Sequence, residues 1–271
     1  MSLVAVITGA SRGIGKVVAN KLANQGYNIA VVSKSVEKND KTPGTIYEVA
    51  EEISRDNPYI DCIPIKVDVR KEGDIKRGIK AIHKEFGRID VLFNNASALH
   101  FDKTKNTPVK KFDLINHVNT RGSFLMSKHV LPIMEKQKKG HIIMHSPPIR
   151  LTMLGENTPY MISKYGMTML SLGIAQEYYG KGIASNTIWP NTLIKSYATI
   201  NNGLGDERFW RKPEIIADSI SFMVNENPNY FSGCQLIDQF YLRKKGITDF
   251  TKYQCVPGCE PPTMDDFFGE N

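Results

Sequence analysis

Short apolar runs rich in β-branched residues alternate with longer amphipathic segments along most of the chain. The runs predict about seven strands, at Val4–Thr8, Ile29–Val32, Cys62–Val67, Val91–Phe93, His141–His145, Ala184–Trp189 and Gln235–Asp238. The segments between them predict helices, at Ile14–Asn24, Thr45–Arg55, Lys71–Phe86, Phe112–Lys136, Tyr160–Tyr179 and Pro213–Val224. Because such alternation requires right-handed crossovers, it predicts an α/β fold with a doubly wound parallel sheet and helices on both faces.

The length of 271 residues, of which 41% are hydrophobic, is enough for one large domain with its own core. We predict a single domain over residues 1–242. Within it, residues 195–212 have weak periodicity and contain the run Asn201–Gly205, which is typical of a loop or a lid over a substrate site. Residues 243–271 show no clear strand, so they are predicted to be a tail that packs on the domain or extends from it.

The formal net charge of +7 is spread along the chain, and no long basic run is present. The densest clusters, Lys136–Lys139 and Arg243–Lys245, are short and have no interleaved aromatic residues. We therefore expect no nucleic-acid partner. A solvated basic face, or attraction of an anionic cofactor, is the better account of the charge.

The cysteines fit no paired zinc signature, so we predict no metal site and ordinary reduced thiols; they are Cys62, Cys234, Cys255 and Cys259. The N-terminal residues lack the charged region and cleavage site of a signal peptide and are typical of a first strand. No apolar run approaches the ~18 residues that a membrane span needs. With no C-terminal targeting tripeptide seen, these features predict a cytoplasmic or other intracellular soluble compartment.

A glycine-rich turn directly follows the first strand and opens the first helix, in the sequence Thr8-Gly9-Ala10-Ser11-Arg12-Gly13-Ile14-Gly15. Its glycines permit a tight turn, close approach of a pyrophosphate to the backbone, and close packing of helix on strand. The helix that follows offers unpaired N–H groups and the positive end of its dipole to phosphates. We predict that this turn binds a dinucleotide, with a purely structural turn as the alternative; the candidate residues are Thr8, Gly9, Ser11, Arg12, Gly13, Ile14 and Gly15.

The end of the second strand indicates which dinucleotide binds. A carboxylate there would bond the ribose hydroxyls of NAD, but the strand runs into Ser33 and Lys34. Lys34 and Arg12 are both placed to reach the 2′-phosphate of NADP. The sequence therefore favours NADP(H) over NAD(H), unless both cations are solvated on the surface.

Two further strand ends supply candidate cofactor contacts. Asp68, followed by Val69, ends the third strand and is placed to accept a hydrogen bond from an adenine amino group; a helix cap is the alternative. Asn95 and Ala96 follow the fourth strand, where small polar residues let a cofactor lie close to the backbone. A plain loop start is the alternative for this second pair.

Tyr160 and Lys164 form the strongest candidate reacting pair. Thr158 is a plausible N-cap and Pro159 a plausible first helical residue, so we predict a helix that starts at Tyr160. Positions i and i+4 share a helix face, which brings the phenol and the ammonium together. A neighbouring cation lowers the pKa of a tyrosine from about 10 toward neutrality, where acid/base catalysis is efficient, although such a pair also occurs by chance.

Two other polar residues complete the candidate centre. Ser146 follows a predicted strand, which Pro147-Pro148 prevents from continuing. Its hydroxyl is therefore expected at the carboxyl end of that strand, where this kind of sheet binds ligands, and there it would bond the substrate oxygen. Asn119 lies in the preceding predicted helix. It holds a water that links Lys164 to solvent, or it only packs helices together; the sequence leaves both open.

The order and spacing of these motifs resemble the short-chain dehydrogenase/reductase superfamily over residues 1–240; the motifs are Thr8–Gly15, Asn94–Ala96, Asn119, Ser146 and Tyr160/Lys164. The resemblance implies a Rossmann-type domain, a nicotinamide cofactor and a catalytic tetrad of Asn119, Ser146, Tyr160 and Lys164. Members commonly form dimers or tetramers through the helices that correspond to residues 112–136 and 160–179. A homodimer or homotetramer is therefore expected.

A narrower set of motifs is similar to the hydroxysteroid dehydrogenase-like proteins, which in animals precede a sterol-carrier domain; the motifs are Gly44–Tyr47, Asn119–Gly122, Ser146–Pro148, Lys164–Met167 and Gly246–Phe250. This likeness covers nearly all of the chain, which stops before any sterol-carrier domain. The superfamily's Pro-Gly after the sixth strand is replaced by Pro190-Asn191, and its Gly-Gly after the last strand by Gln239-Phe240. The resemblance adds Pro190, Thr192 and Ile194 to the cofactor shell, with Thr192 or Ser196 beside the nicotinamide amide.

These residues together predict an enzyme that interconverts a ketone or aldehyde with its alcohol by hydride transfer. Leu204, Phe209 and Trp210 in the predicted lid indicate an apolar or lipid-like small-molecule substrate. The competing hypothesis is a non-catalytic NADP(H)- or lipid-binding regulator on the same fold. Presence of all four tetrad residues favours the enzyme.

Overall fold

A parallel sheet forms the centre of the computed structural model, which describes residues 2–38, 40, 43–155 and 157–268. In chain order its strands are β1 Val4–Thr8, β2 Asn28–Ser33, β3 Cys62–Lys66, β4 Val91–Asn94, β5 Gly140–His145, β6 Ile183–Trp189, β7 Leu193–Ile194, β8 Trp210–Arg211 and β9 Gln235–Ile237. The main sheet has the order β3-β2-β1-β4-β5-β6-β9, whereas β7 and β8 pair with each other. Because the strand order reverses between β1 and β4, the ligand crevice of this fold lies at their carboxyl ends.

Two layers of helices cover the sheet, as predicted; the helices are α1 Gly13–Ala23, α2 Ile46–Asp56, α3 Glu72–Phe86, α4 Val109–Asn116, α5 Gly122–Gln137, α6 Thr158–Glu177, α7 Tyr197–Asn201, α8 Glu214–Met223, α9 Asp238–Lys244 and α10 Met264–Phe268. Helices α1, α2, α8 and α9 pack on one face of the sheet. Helices α3, α5 and α6 pack on the other. Every residue of β1 is buried, since its alternate side chains enter the two cores in turn.

The predicted strands all lie in the main sheet, but the predicted helix Phe112–Lys136 is wrong in one respect. It consists of α4, a π-helical turn at His117–Arg121, and α5. A π-turn adds one residue to a helical turn, and a search for a 3.6-residue period does not detect such an insertion. The turn carries Asn119, which is completely buried.

The predicted start of the helix that carries Tyr160 and Lys164 is also wrong. Helix α6 begins at Thr158, and its N-cap is Asn157, whose side chain makes no capping bond. The hydroxyl of Thr158 instead donates to the carbonyl oxygen of Leu154 at 2.7 Å. Pro159 still lies in the first turn, where its missing N–H costs nothing.

The segments predicted as a lid and a tail pack against each other. Residues 195–212 contain α7, a 3₁₀ turn at Glu207–Phe209 and β8. The tail returns to the domain, because Phe250 and Tyr253 are buried in the same core as α8. Its backbone pairs with the lid at Arg211–Gln254. The described part of the tail therefore packs on the domain, which is the first of the two alternatives.

No described helix combines the length and the apolar character that crossing a membrane requires. Over the described ranges, His, Cys, Asp and Glu side chains form no group of three or more suited to holding a metal ion.

Candidate active site

Thr8 ties the ends of β1 and β4 together at the crevice. Its hydroxyl accepts the main-chain N–H groups of Asn95 and Ala96, at 2.9 and 3.0 Å. It also donates to the carbonyl oxygen of Phe93 at 3.2 Å. The side-chain amide of Asn95 returns to this turn, where it donates to the carbonyl oxygens of Thr8 and Gly9. Thr8, Asn95 and Ala96 therefore shape the floor of the crevice.

The glycine turn leaves room that any larger residue would fill. Gly9 has a φ of +67°, and a Cβ there would lie 2.9 Å from the Cα of Ala96. A Cβ on Gly15 would lie 2.6 Å from the carbonyl oxygen of Gly9. The first turn of α1 contains no acidic residue, and the N-cap residue Arg12 makes no side-chain capping bond. This cradle of bare backbone before an uncapped helix N-terminus fits a pyrophosphate.

The end of β2 brings Ser11, Ser33 and Lys34 together. The hydroxyl of Ser11 donates to that of Ser33 at 3.5 Å, and Lys34 is exposed beside them. The Nε and one Nη of Arg12 donate to the carbonyl oxygens of Pro43 and Gly44, both at 3.0 Å. Those bonds hold the guanidinium on the loop before α2. Lys34 is thus the more accessible of the two predicted phosphate ligands.

Asp68 lies in the turn between β3 and α3, beside Val69. Its carboxylate pairs with Arg70, whose Nε bonds both carboxylate oxygens at 2.9 and 3.1 Å. Hydrogen bonds from Arg70 hold the pKa of Asp68 below its usual value, although partial burial opposes this. The helix-cap alternative is wrong, because the N-cap of α3 is Lys71.

Tyr160 and Lys164 lie on one buried face of α6, where the sequence predicted them. Only 5% of Tyr160 and 2% of Lys164 is exposed. The Lys164 ammonium is 5.9 Å from the centre of the Tyr160 ring and donates to the carbonyl oxygen of His145 at 2.9 Å. Phe101 packs edge-on against the Tyr160 ring, with centroids 4.9 Å apart. The phenol is thereby fixed at the wall of a cavity.

Burial controls the protonation of this pair. It raises the pKa of Tyr160 well above its usual value, an effect that a hydrogen bond with Ser97 opposes. It also lowers the pKa of Lys164 to about 7. The protein without a bound cofactor therefore does not show the expected fall in the pKa of Tyr160. Desolvation of the phenolate outweighs the attraction of an ammonium that is itself partly deprotonated at neutral pH.

Asn119 uses its whole side chain to hold neighbouring elements together. Its Oδ1 accepts from the amide of Ala98 at 2.8 Å and from the hydroxyl of Ser97 at 3.1 Å. Its Nδ2 donates to the carbonyl oxygen of Ala98 and to the hydroxyl of Ser163, both at 3.0 Å. An amide side chain has no further donor or acceptor to offer a water molecule. This geometry favours the packing alternative for the side chain of Asn119.

Ser146 does not lie where the prediction placed it. Its side chain is completely buried, and its hydroxyl accepts a hydrogen bond from Thr168 at 2.9 Å. It is not part of the cavity wall beside Tyr160; His145 from the same strand is. Successive strand residues point to opposite faces, so a one-residue difference exchanges the side chain that faces the ligand.

The cavity beside Tyr160 is lined mostly by apolar side chains from several loops; they include Ile14, Leu99, Phe101, Met161, Pro190, Leu193, Ile194 and Leu204. Ser196 also lines it. Thr192 instead is buried, and its backbone bridges to Thr263 of the tail. Of the two candidates Thr192 and Ser196, it is therefore Ser196 that faces the cavity. Of the predicted lid hydrophobics, only Leu204 reaches the cavity wall, whereas Trp210 is buried and donates to the carbonyl oxygen of Leu204.

Sequence reasoning missed several cavity residues. Trp189 and Met264 line the wall but were not singled out, and Met264 belongs to the predicted tail. The two departures from the superfamily pattern contact each other, because the side-chain amide of Asn191 donates to Gln239 at 2.9 Å. Gln239 also accepts from buried Arg211 at 2.8 Å. Hydrogen-bonded polar side chains therefore stand where the superfamily has glycines, and they support the wall of the cavity.

The chain matches the family model described as short chain dehydrogenase over residues 3–200. It is 43% identical over 265 residues to hydroxysteroid dehydrogenase-like protein 2 of Mus musculus, which covers 97% of this chain and 53% of that protein. The chain thus spans about half the length of this relative. A putative dehydrogenase from Xanthomonas campestris has a TM-score of 0.92 and 36% identity, covering 96% of both chains. A metagenomic short-chain oxidoreductase in complex with NADP has a TM-score of 0.72 and 25% identity, covering 87% of this chain and 96% of that one.

Proposed function

The chain belongs to the short-chain dehydrogenase/reductase family of oxidoreductases, and from this we propose that it uses NADP(H) to interconvert an apolar ketone or aldehyde with its alcohol. The observation that carries the proposal is the position of Tyr160 and Lys164. Both lie on one face of α6, and Tyr160 lines a cavity that extends to Ile14 after the glycine turn. A phenol at that point is within reach of both a dinucleotide and a small apolar molecule.

The residues around the crevice fit a nicotinamide dinucleotide. Gly9 and Gly15 would leave space for the pyrophosphate at the start of α1. Pro190, Ile194 and Ser196 line the cavity and would hold the nicotinamide. The choice of NADP(H) rests on exposed Lys34 and on the absence of a carboxylate at Ser33. The metagenomic relative that binds NADP supports the same choice.

Tyr160 acts as the proton donor. When bound, the cofactor supplies the hydride, and negative charge develops on the substrate's carbonyl oxygen. Because burial raises the pKa of Tyr160, the phenol is protonated at neutral pH and donates to that oxygen. In the reverse direction the phenolate is needed, and the positive charge of Lys164 favours it.

The substrate is proposed to be apolar or lipid-like, because the cavity wall is built from side chains such as Phe101, Met161, Leu204 and Met264. A regulator that only binds NADP(H) or lipid needs no phenol at the cavity. Here Tyr160 lines the cavity, which supports catalysis over that alternative.

The test is fluorescence-monitored oxidation of NADPH by the purified protein against a panel of aliphatic, aromatic and steroid carbonyl compounds. Tyr160→Phe is expected to lower turnover of any active compound by roughly 10²–10⁴-fold, because a positioned acid supplies that factor. The dissociation constant for NADPH should stay within about 2-fold, since the hydroxyl acts in the transition state. Retention of more than about a tenth of the activity would contradict the role of Tyr160.

Self-association is proposed through α4–α5 and α6. These helices expose apolar side chains that a monomer would leave in water; they are Phe112, Phe124, Ile162 and Met169. Sedimentation velocity is expected to show a dimer or tetramer that Ile162→Lys dissociates. Tyr59→Lys, at an exposed site between α2 and β3, should leave the assembly intact.

A further inference from the structure

His145, the last residue of β5, has a buried polar atom that no described residue satisfies. Its side chain is 8% exposed and lines the cavity beside Tyr160. Within the described residues its Nε2 has no hydrogen-bond partner. A buried polar atom is normally paired, and an orphan beside a ligand cavity indicates that the ligand supplies the partner.

The neighbouring amide determines which ring nitrogen of His145 is protonated. The Nδ2 of Asn95 faces the carbonyl oxygens of Thr8 and Gly9, at 3.0 and 3.3 Å, so this atom is the donor end of the amide. The Oδ1 of Asn95 therefore faces the Nδ1 of His145, at 3.3 Å. An oxygen acceptor requires an N–H opposite it, so Nδ1 holds the proton.

The imidazole is neutral, which leaves Nε2 as a bare acceptor. Burial and the nearby Lys164 ammonium lower the pKa of His145 to about 3. The rings of Phe93 and Trp189 flank the imidazole, with centroids 6.0 and 5.5 Å away, and limit the positions from which a partner approaches. The missing partner must therefore be a hydrogen-bond donor that enters through the cavity.

We propose that His145 is a cofactor-binding residue whose Nε2 accepts a hydrogen bond from an O–H or N–H group of the nicotinamide nucleoside. The cofactor is the chosen partner because the polar neighbours of His145 lie in the predicted cofactor shell. Asn95 is bonded to the glycine turn, and Lys164 donates to the main-chain oxygen of His145 itself. This inference rests on the proposed use of a nicotinamide cofactor but not on turnover of any substrate.

The experiment compares His145→Phe with His141→Phe. His141 is a matched control, since it lies on the same strand, is 4% exposed, and also has a buried Nε2 without a partner in the described structure, yet it lies away from the cavity. Calorimetric titration should show that His145→Phe weakens NADPH binding by roughly 5–50-fold, the effect of removing one buried partner. His141→Phe should change it by less than about 2-fold. His145→Gln, which restores an acceptor, should recover part of the loss.

Adenosine 2′,5′-bisphosphate, which lacks the nicotinamide nucleoside, separates a local contact from a general loss of structure. Its affinity should be the same for His145→Phe and the unaltered protein. Equal weakening of both ligands would overturn the proposal, because the variant would then have damaged the glycine turn through Asn95. Unchanged NADPH affinity with a raised KM for an alcohol substrate would also overturn it and assign Nε2 to the substrate.

Nitrogen NMR of the unaltered protein gives a second test that needs no variant. The imidazole of His145 should be in the Nδ1–H form, and its Nε2 resonance should shift when NADPH binds and stay in place with the bisphosphate. An Nε2–H form, or no shift with NADPH, would overturn the proposal. Failure to bind NADPH would overturn this inference together with the proposed function. NADPH binding without any turnover would contradict only the proposed function.

Discussion

Replacing Lys164 by Met is expected to stabilise the protein while it impairs function. The ammonium of Lys164 is buried, and its hydrogen-bond acceptor is the carbonyl oxygen of His145. Burial moves its pKa from 10.5 to about 7. A shift of this size means that burying the charged form of Lys164 lowers the free energy of unfolding by about 5 kcal/mol at pH values below 7.

The sign of the pH dependence follows from the two states. Between pH 7 and about 10.4 the unfolded chain keeps the proton on Lys164, whereas the folded protein has lost it. Stability therefore rises with pH in this window by up to about 1.4 kcal/mol per pH unit, and a Met variant lacks that rise. Met also leaves the buried carbonyl of His145 unpaired, which costs about 1–3 kcal/mol. The net expectation is that Lys164→Met is about 2–4 kcal/mol more stable at pH 6.5 and less stable near pH 10.

The assay is urea unfolding of both cofactor-free proteins from pH 6.5 to 10. Lys181→Met is the control, since Lys181 is exposed and its Nζ also donates to a main-chain carbonyl, that of Glu177, at 2.8 Å. A stability difference between Lys164→Met and the unaltered protein that stays constant across this range would refute the reasoning. Activity and NADPH affinity of Lys164→Met should both fall, because we expect Lys164 both to favour the phenolate of Tyr160 and to hold the ribose of the nicotinamide nucleoside.

Three further predictions address the cofactor shell and Ser146. The unaltered protein should bind NADPH about 10–100-fold more tightly than NADH, and the double variant Ser33→Asp with Lys34→Ala should reverse this preference at the same salt concentration. Tighter binding of NADH by the unaltered protein would contradict the NADP(H) proposal. Ser146→Ala should lower kcat by less than about 3-fold, because its hydroxyl bonds Thr168 and not the cavity; a loss of roughly 10²-fold would restore it as an oxyanion donor. Gly9→Ala should destabilise the fold by about 1–3 kcal/mol and weaken NADPH binding, because φ at this position is +67° and the added Cβ meets Ala96. Thermal unfolding would measure the loss of stability, and titration with NADPH would measure the loss of affinity.

The pair at Tyr160 and Lys164 could be predicted because it depends on local geometry alone. Four residues along a helix place two side chains on one face whatever the helix packs against. The glycine turn could be predicted because its glycines stand at short spacings between a strand and a helix, although the backbone that excludes a Cβ on Gly9 belongs to distant Ala96. Pro159, likewise, indicates a helix start within two residues.

The orientations of the His145 and Ser146 side chains could not be predicted from the chain. Both residues end β5, and the sequence does not say which of two opposite faces meets the ligand. Which of the two side chains meets the ligand depends on residues from distant segments, since Thr168 bonds Ser146 and Asn95 bonds His145. Arg12 is a similar case, because the carbonyl groups that hold it belong to the loop before α2.

The sequence by itself determined the seven-stranded sheet, the glycine turn and the Tyr160–Lys164 pair, because periodicity and short-range spacing specify them. Only the tertiary structure decided the direction of the pKa of Tyr160, the saturation of Asn119 by four hydrogen bonds, and the packing of the tail beside the cavity. These properties depend on burial and on partners brought from far along the chain. Desolvation and long-range hydrogen bonds exist only once the whole fold has excluded water from the site.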